Sequence, residues 1–254
     1  MQEALLRIKE VSKHFGGVYA VNNVSLDLSH GRVCGLVGPN GSGKTTLFST
    51  ILGLHKPDQG SIYFNGRYIN NLTPHQIYGL GLVHAFQLPR LFNSLSVLDN
   101  MLVAARGQQG DGLFNSLFRR KRWQEQEGGL VAEAFNILEL VELGKMAFSP
   151  AGELSGGQRK LLEIARGLMA RPTLLLLDEP AAGINPVLGK KIFQKIKDFS
   201  QNGIAFFIVE HRLEILFEFA SWVYVMDKGQ IVIAGEPQAI IDDPAFYAIY
   251  LGEK

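Results

Sequence analysis

The chain has only one cysteine, Cys34, among its 254 residues, which excludes an internal disulfide. It has almost no excess charge: 25 Lys and Arg stand against 24 Asp and Glu, for a formal net charge of +1. That balance argues against a dedicated nucleic-acid surface, which needs a clear basic excess. No run of about 18 uninterrupted apolar residues is present, so no segment reads as a membrane-spanning helix. The opening Met1-Gln2-Glu3 lacks the basic-then-apolar layout of a secretory signal, and the expectation is a chain that stays in the cytoplasm. A hydrophobic share of 46% with 19% charged residues is ordinary for a globular protein and sufficient for a sizeable core in one or two domains. Cys34 lies within the apolar run Val33 to Val37 and reads as a small buried hydrophobe.

The most informative stretch is Gly38-Pro39-Asn40-Gly41-Ser42-Gly43-Lys44-Thr45, directly behind that apolar run. It fits G-x-x-x-x-G-K-[ST], a phosphate-binding loop. The glycines let the backbone curl so that successive N–H groups face a phosphate, and the helix that follows adds its positive dipole end. Lys44 reaches the β- and γ-phosphates of a nucleotide and Thr45 a Mg²⁺ ion, with Thr46 counted in the same nucleotide-binding set.

Ahead of the loop, Leu5 to Val11 and Val18 to Leu28 alternate and are rich in β-branched residues, predicting antiparallel strands before a turn at Ser29 to Arg32. Phe15 precedes Gly16-Gly17 and offers a ring that can stack on an adenine or serve as a hairpin aromatic. Behind the loop, Thr45 to Leu54 reads as a helix stopped by Gly53 and Pro57, Gly60 to Gly66 as a strand running into a turn, and Pro74 as a helix start. Leu82 to Phe86 reads as a buried strand whose exit is Gln87, a residue type able to hold a metal or a water at such a position.

From Val97 the character becomes helical. Gly107 to Gly112 is flexible in composition, and Arg119-Arg120-Lys121-Arg122-Trp123 is a basic run beside an aromatic, a solvated connector or a contact for lipid phosphates. Residues 96–170 are expected to form a mainly helical subdomain inserted in an α/β core. Within it, Leu154-Ser155-Gly156-Gly157-Gln158 opens a helix whose stripe is Leu161, Ile164, Ala165, Leu168 and Met169. Such an end is either a capped N-terminus or an anion site without a lysine.

Leu174 to Leu177 is apolar on both faces, as a strand in the middle of a covered parallel sheet must be, and delivers Asp178-Glu179 at its end. Asp178 is placed to coordinate Mg²⁺, and Glu179 to polarise an attacking water. Ile204 to Val209 repeats the pattern and ends in Glu210-His211, where the imidazole can hydrogen-bond a γ-phosphate.

In this order and at these spacings the phosphate loop, Gln87, Leu154 to Gln158, Leu174 to Glu179 and His211 resemble the nucleotide-binding subunit of an ATP-binding cassette (ABC) transporter. The resemblance implies the ABC ATPase fold over 1–254: an α/β phosphate-loop NTPase core at 1–95 and 171–254 with an N-terminal antiparallel β-subdomain, and a helical subdomain at 96–170. It implies ATP and Mg²⁺ as ligands, and a head-to-tail dimer with a second ATP-binding subunit. In that dimer each ATP lies between the phosphate loop of one subunit and Ser155, Gly156, Gly157 and Gln158 of the other. Transmembrane permease subunits are the further partners, at the cytoplasmic face of the cell membrane. By the same resemblance Phe15 stacks the adenine, Gln87 senses Mg²⁺ and water, Asp178 binds Mg²⁺, Glu179 is the general base and His211 contacts the γ-phosphate. Asn185 departs from the family pattern, which often has Asp there; an amide keeps the hydrogen-bonding capacity and drops the charge.

Within the family, Phe86 to Phe92, the insert through Leu113-Phe114, Glu179 to Gly183, Val209 to His211 and Ala248 to Glu253 are similar to the ATPases of branched-chain amino-acid importers. His84-Ala85 stands where that type often has Arg-Thr, and ATPases of urea importers and lipopolysaccharide exporters share part of the pattern. A non-transport cassette, such as an iron–sulfur assembly scaffold, is the competing expectation.

Overall fold

The structure, a computed structural model, describes residues 4–85, 91–105 and 120–251, with the backbone alone for 120–127 and 251. Gln87, the Gly107 to Gly112 stretch, Leu113-Phe114, Arg119 and the terminal Gly252-Glu253 therefore lie outside the described residues, as do the side chains of Arg120 to Trp123. Contacts divide the chain into two compact units, Met1–His84 with Thr173–Lys254, and Ala85–Pro172.

The first unit holds two sheets. Strands β1 (Leu6–Phe15), β2 (Val18–Leu28), β4 (Gln59–Phe64) and β5 (Arg67–Tyr68) form an antiparallel sheet in the order β2-β1-β4-β5. Its sequence alternation becomes sidedness: Leu6 and Ile8 are buried, while Lys9 and Glu10 are exposed where the register shifts between Ile8 and Val11. The second sheet runs β10-β9-β3-β8-β7-β6, with β3 (Val33–Val37), β6 (Leu82–His84), β7 (Leu174–Asp178), β8 (Ala205–Val209), β9 (Trp222–Asp227) and β10 (Gln230–Gly235). All neighbours in it are parallel except the edge pair β10 and β9. Leu174 to Leu177 are each fully buried, and burial of a leucine contributes roughly 1.5–3 kcal/mol. Strand β6 is described as Leu82–His84 and pairs with β7, while Phe86, the end of the strand expected from the sequence, lies outside the described residues.

The helix Lys44–Ile51 belongs to the same core as both sheets: Leu47, Phe48 and Ile51 cluster with Ile8, Val21, Phe64, Phe207 and Met226. Phe48 packs on Phe207 at 5.1 Å between ring centroids and edge-on against His84 at 6.0 Å. The phosphate-loop helix is therefore clamped through its apolar side chains, with its N-terminus left for the loop. Parallel pairing aligns the strand ends: Val209 is in register with Leu36 of β3 and with Asp178 of β7. The residues that follow β3, β7 and β8 thus emerge along one edge of the sheet, where open α/β sheets bind ligands.

Cys34, on β3, is buried, and burial pushes its thiol from 9.0 up to about 12. A raised thiol pKa keeps the neutral form, so the associated stability is intact below pH 9 and is lost as the pH climbs toward 12. At pH 8 the native chain is expected to resist thiol-specific reagents and to react after unfolding in urea; fast labelling of the native chain, followed by absorbance, would contradict this burial.

In the second unit, Ser96 caps the helix Val97–Val103 by accepting from Asp99 N at 3.0 Å. Asn100 is fully buried and splints the preceding loop, its Oδ1 accepting from Phe92 N (2.9 Å) and its Nδ2 donating to the Phe92 and Ser96 carbonyls (3.0 and 2.9 Å). The helices Arg120–Leu140 and Gly156–Met169 complete it, and Arg171 grips Glu133 through two bonds of 2.9 and 2.6 Å. The sequence-derived boundaries of 96 and 170 fall inside this unit, whose ends are Ala85 and Pro172. Among the described residues, no helix is long and apolar enough to cross a membrane.

Candidate active site

The loop after β3 needs glycine for two physical reasons. Gly38, Gly41 and Gly43 have φ of 152°, 80° and 106°, a region that side chains disfavour. A Cβ on Gly38 would also run into the Met226 carbonyl, and one on Gly43 into the Ala20 carbonyl. Gly43 is the N-cap of Lys44–Ile51 and provides no side-chain cap, so backbone donors of the first turn remain for another acceptor. The loop is held from outside by Gly229 N, which donates to the Ser42 carbonyl at 2.9 Å.

Lys44 is 6% exposed, and its ammonium donates to the carbonyls of Gly38 (2.8 Å) and Pro39 (2.9 Å) and to Ser42 Oγ (3.4 Å). Burial lowers its pKa below the usual 10.5, while the charges of Asp178 and Glu179 act in the opposite direction. A cation partly stripped of water and held by neutral carbonyls is well prepared to take an anionic partner.

A cavity of about 270 Å³ joins this loop to the ends of β7 and β8. Asn40, Gly41, Gly43, Lys44, Thr45 and Thr46 line it from one side, and Asp178, Glu179 and His211 from the other. Most of the sequence-derived site residues of the first unit thus share one cavity. Sequence reasoning missed two of its walls, Ala20 and Val209, because small or aliphatic lining residues carry no chemical signature. Gly38, Pro39 and Ser42 are not among the lining residues and instead accept bonds from the Lys44 ammonium. Phe15 stands at the end of β1, 48% exposed, with its ring edge-on to His55 (5.2 Å) and beneath Lys13 Nζ (5.5 Å to the centroid).

Glu179 has φ 51°, a left-handed conformation that costs a non-glycine residue roughly 1–2 kcal/mol. The turn is held by Glu179 N donating to the Val209 carbonyl (2.8 Å) and Ala182 N donating to the Glu179 carbonyl (3.0 Å). Its carboxylate Oε1 lies 3.0 Å from His211 Nε2, with both side chains about two-fifths exposed (43% and 41%). The carboxylate and the imidazole on adjacent strand ends are therefore in hydrogen-bond contact, a pairing that sequence spacing does not reveal. Backbone strain of this kind at a polar cavity points to function.

Ser155 N-caps the helix Gly156–Met169 in a reciprocal box: its Oγ accepts from Gln158 N (3.3 Å), and Gln158 Oε1 accepts from Ser155 N (2.9 Å). A Cβ on Gly156 would meet nothing within 4 Å, so this helix end is sterically open. Asn185 is likewise a cap: its Oδ1 accepts from Leu188 N at 2.9 Å at the start of the helix Pro186–Gln201. Asp and Asn cap about equally well, which explains locally why an amide is tolerated there.

Among the described residues no group of three or more His, Cys, Asp and Glu is assembled as a metal cluster. Two hydroxyls, Thr45 and Thr46, and two carboxylates, Asp178 and Glu179, line the same cavity. This hard-oxygen set fits Mg²⁺, which typically takes one or two protein carboxylates and completes its shell with substrate phosphates and water.

The family model described as ABC transporter matches residues 21–182. Similar proteins include a probable branched-chain amino acid transport ATP-binding protein LivG of Archaeoglobus fulgidus, 40% identical over 98% of this chain and 96% of its own length. The high-affinity branched-chain amino acid transport ATP-binding protein LivG of Escherichia coli K12 is 34% identical over the full length of both. Among solved structures, a nucleotide-free ATP-binding cassette from an ABC transporter superposes with a TM-score of 0.85 at 40% identity, covering 99% of this chain and 100% of that one. The ADP conformation of another such cassette gives 0.86 at 39% identity, with the same coverage. The expected α/β cassette fold is borne out, and with it the phosphate-loop cavity acquires its context: the chain belongs to the ABC transporter family, as one of its ATP-binding, ATP-hydrolysing cassettes.

Proposed function

We propose that the chain powers a membrane importer of branched-chain amino acids, as a dimer docked on permease subunits at the cytoplasmic face of the cell membrane. The observation that carries the ATPase chemistry is the single cavity shared by Lys44, Thr45, Asp178, Glu179 and His211. The names of the full-length relatives support the solute class.

In this reading the triphosphate lies against the loop Gly38 to Thr46. Lys44 exchanges its carbonyl partners for phosphate oxygens, and the uncapped first turn of Lys44–Ile51 donates backbone N–H groups. Thr45 and Asp178 hold Mg²⁺, which when bound neutralises phosphate charge and polarises the phosphoryl group. Glu179 orients the attacking water and accepts its proton. His211, now 3.0 Å from Glu179 Oε1, aligns that carboxylate and is within the same cavity for contact with the γ-phosphate. Phe15 receives the adenine on its exposed ring. The open helix end at Ser155 to Gln158 closes over the ATP of the partner subunit, and Gln87 reports ligand occupancy to the permease. Closure on ATP and release after hydrolysis then supply the mechanical cycle.

The test is transport. In cells that depend on this chain, leucine, isoleucine or valine uptake is expected to fall to background when Glu179→Gln replaces the wild type, and permease subunits are expected to co-purify from detergent extracts. Undiminished uptake of these solutes, followed with radiolabel, in cells whose Glu179→Gln chain has lost ATP turnover would refute the solute assignment.

A further inference from the structure

We infer that Glu210 is a positioning residue that sets His211 against Glu179 by tying together the two loops that carry them. The inference rests on the reading of Glu179 and His211 as the reaction centre. Glu210 follows β8 and is 2% exposed, a burial that a carboxylate tolerates only with compensating donors. Those donors are backbone groups of two separate loops. Its Oε2 accepts from Ala181 N at 3.1 Å, two residues beyond Glu179. Its Oε1 accepts from His211 N at 3.0 Å and from Arg212 N at 3.1 Å.

The neighbouring side chain makes the reciprocal connection. Arg212 Nη1 donates to the carbonyls of Ala181 (3.4 Å) and Ile184 (3.3 Å). Ala181 is therefore held at both its N–H and its C=O by side chains of the His211 loop. On its other flank, Glu179 N is bonded to the Val209 carbonyl of β8. The strained turn at Glu179 is thus bracketed on both sides by the segment that positions the imidazole, so the 3.0 Å approach of Glu179 to His211 is set by backbone ties rather than by two freely rotating, two-fifths-exposed side chains. Ala181 also begins the segment leading to Asn185 and the helix Pro186–Gln201, so a shift of the His211 loop is transmitted into it through Glu210 and Arg212.

Glu210→Gln keeps the shape but replaces one acceptor with an amide donor, so at least one of the two loops loses its partner and meets an opposed N–H. In the full-length chain, kcat for ATP is expected to fall about tenfold or more, a loss typical of a misplaced catalytic group, with ATP affinity within about twofold of wild type. On a His211→Ala background, in single-turnover assays sensitive to residual hydrolysis, Glu210→Gln is expected to add little, because it acts through the geometry already removed. Arg212→Met, which leaves Glu210 intact and removes the one nitrogen that donates to both carbonyls, is expected to lower kcat in the same selective manner and carries the test if Glu210→Gln fails to fold. An unchanged kcat in Glu210→Gln, or an effect that simply adds to that of His211→Ala, overturns the positioning role while leaving the ATPase site in place. If His211→Ala itself hydrolyses ATP at the wild-type rate, the underlying reading of the reaction centre falls, and this inference with it.

Discussion

Glu179→Gln is expected to bind ATP with near-normal affinity, to dimerise stably in its presence and to hydrolyse it about 10²–10⁴-fold more slowly, the usual contribution of a positioned general base. The substitution keeps the side-chain length and the capacity to accept a bond from His211 Nε2, now 3.0 Å away, so the geometry of the turn is retained. It removes the basicity that takes the proton from water. Because ATP remains bound and uncleaved, the closed dimer accumulates, and size-exclusion chromatography with ATP and Mg²⁺ is the second readout. Turnover at the wild-type rate would transfer the role of base to another group, with Asp178 and His211 the candidates in the same cavity.

Lys44→Ala is expected to weaken ATP binding by about thirtyfold or more, since truncating one partner of a buried charge pair costs about 2–5 kcal/mol. Isothermal titration measures it, and unchanged affinity would remove the phosphate cradle from the account. The same ammonium braces the loop through the Gly38 and Pro39 carbonyls, so a melting curve must accompany the binding data to separate lost contact from lost loop structure. A pH dependence sharpens the test. With its pKa lowered by burial, Lys44 loses its charge at a lower pH than an ordinary lysine, so wild-type affinity falls as the pH rises through the alkaline range. The fall should be absent in Lys44→Ala, where no ammonium is left to titrate.

Much of the site was legible in the sequence because its chemistry is local. Gly38 to Thr45 is a contiguous phosphate loop, and its glycines answer to backbone angles and close carbonyls that no other residue satisfies. The fully apolar run Leu174 to Leu177 reveals a central strand and so places Asp178 at the C-terminal end of the sheet's strands. Strand β6 is described to His84, and the expected end at Phe86 lies outside the described residues. The Glu179 to His211 contact was hidden, because it depends on the adjacency of β7 and β8, whose ends are more than 30 residues apart in the chain.

By itself the sequence determined the family and its nucleotide chemistry and singled out the residue types proposed to perform it, since these depend on short motifs whose spacing is set by one turn or one strand. The tertiary structure alone decided how separate motifs meet. Parallel register brings the ends of β3, β7 and β8 to one level, and the cavity between them assembles Lys44, Asp178, Glu179 and His211. It also assigned work to Glu210, which in the sequence is one more acidic residue beside a histidine. Only burial, which forces a carboxylate to find donors, shows it bonded to both loops at once.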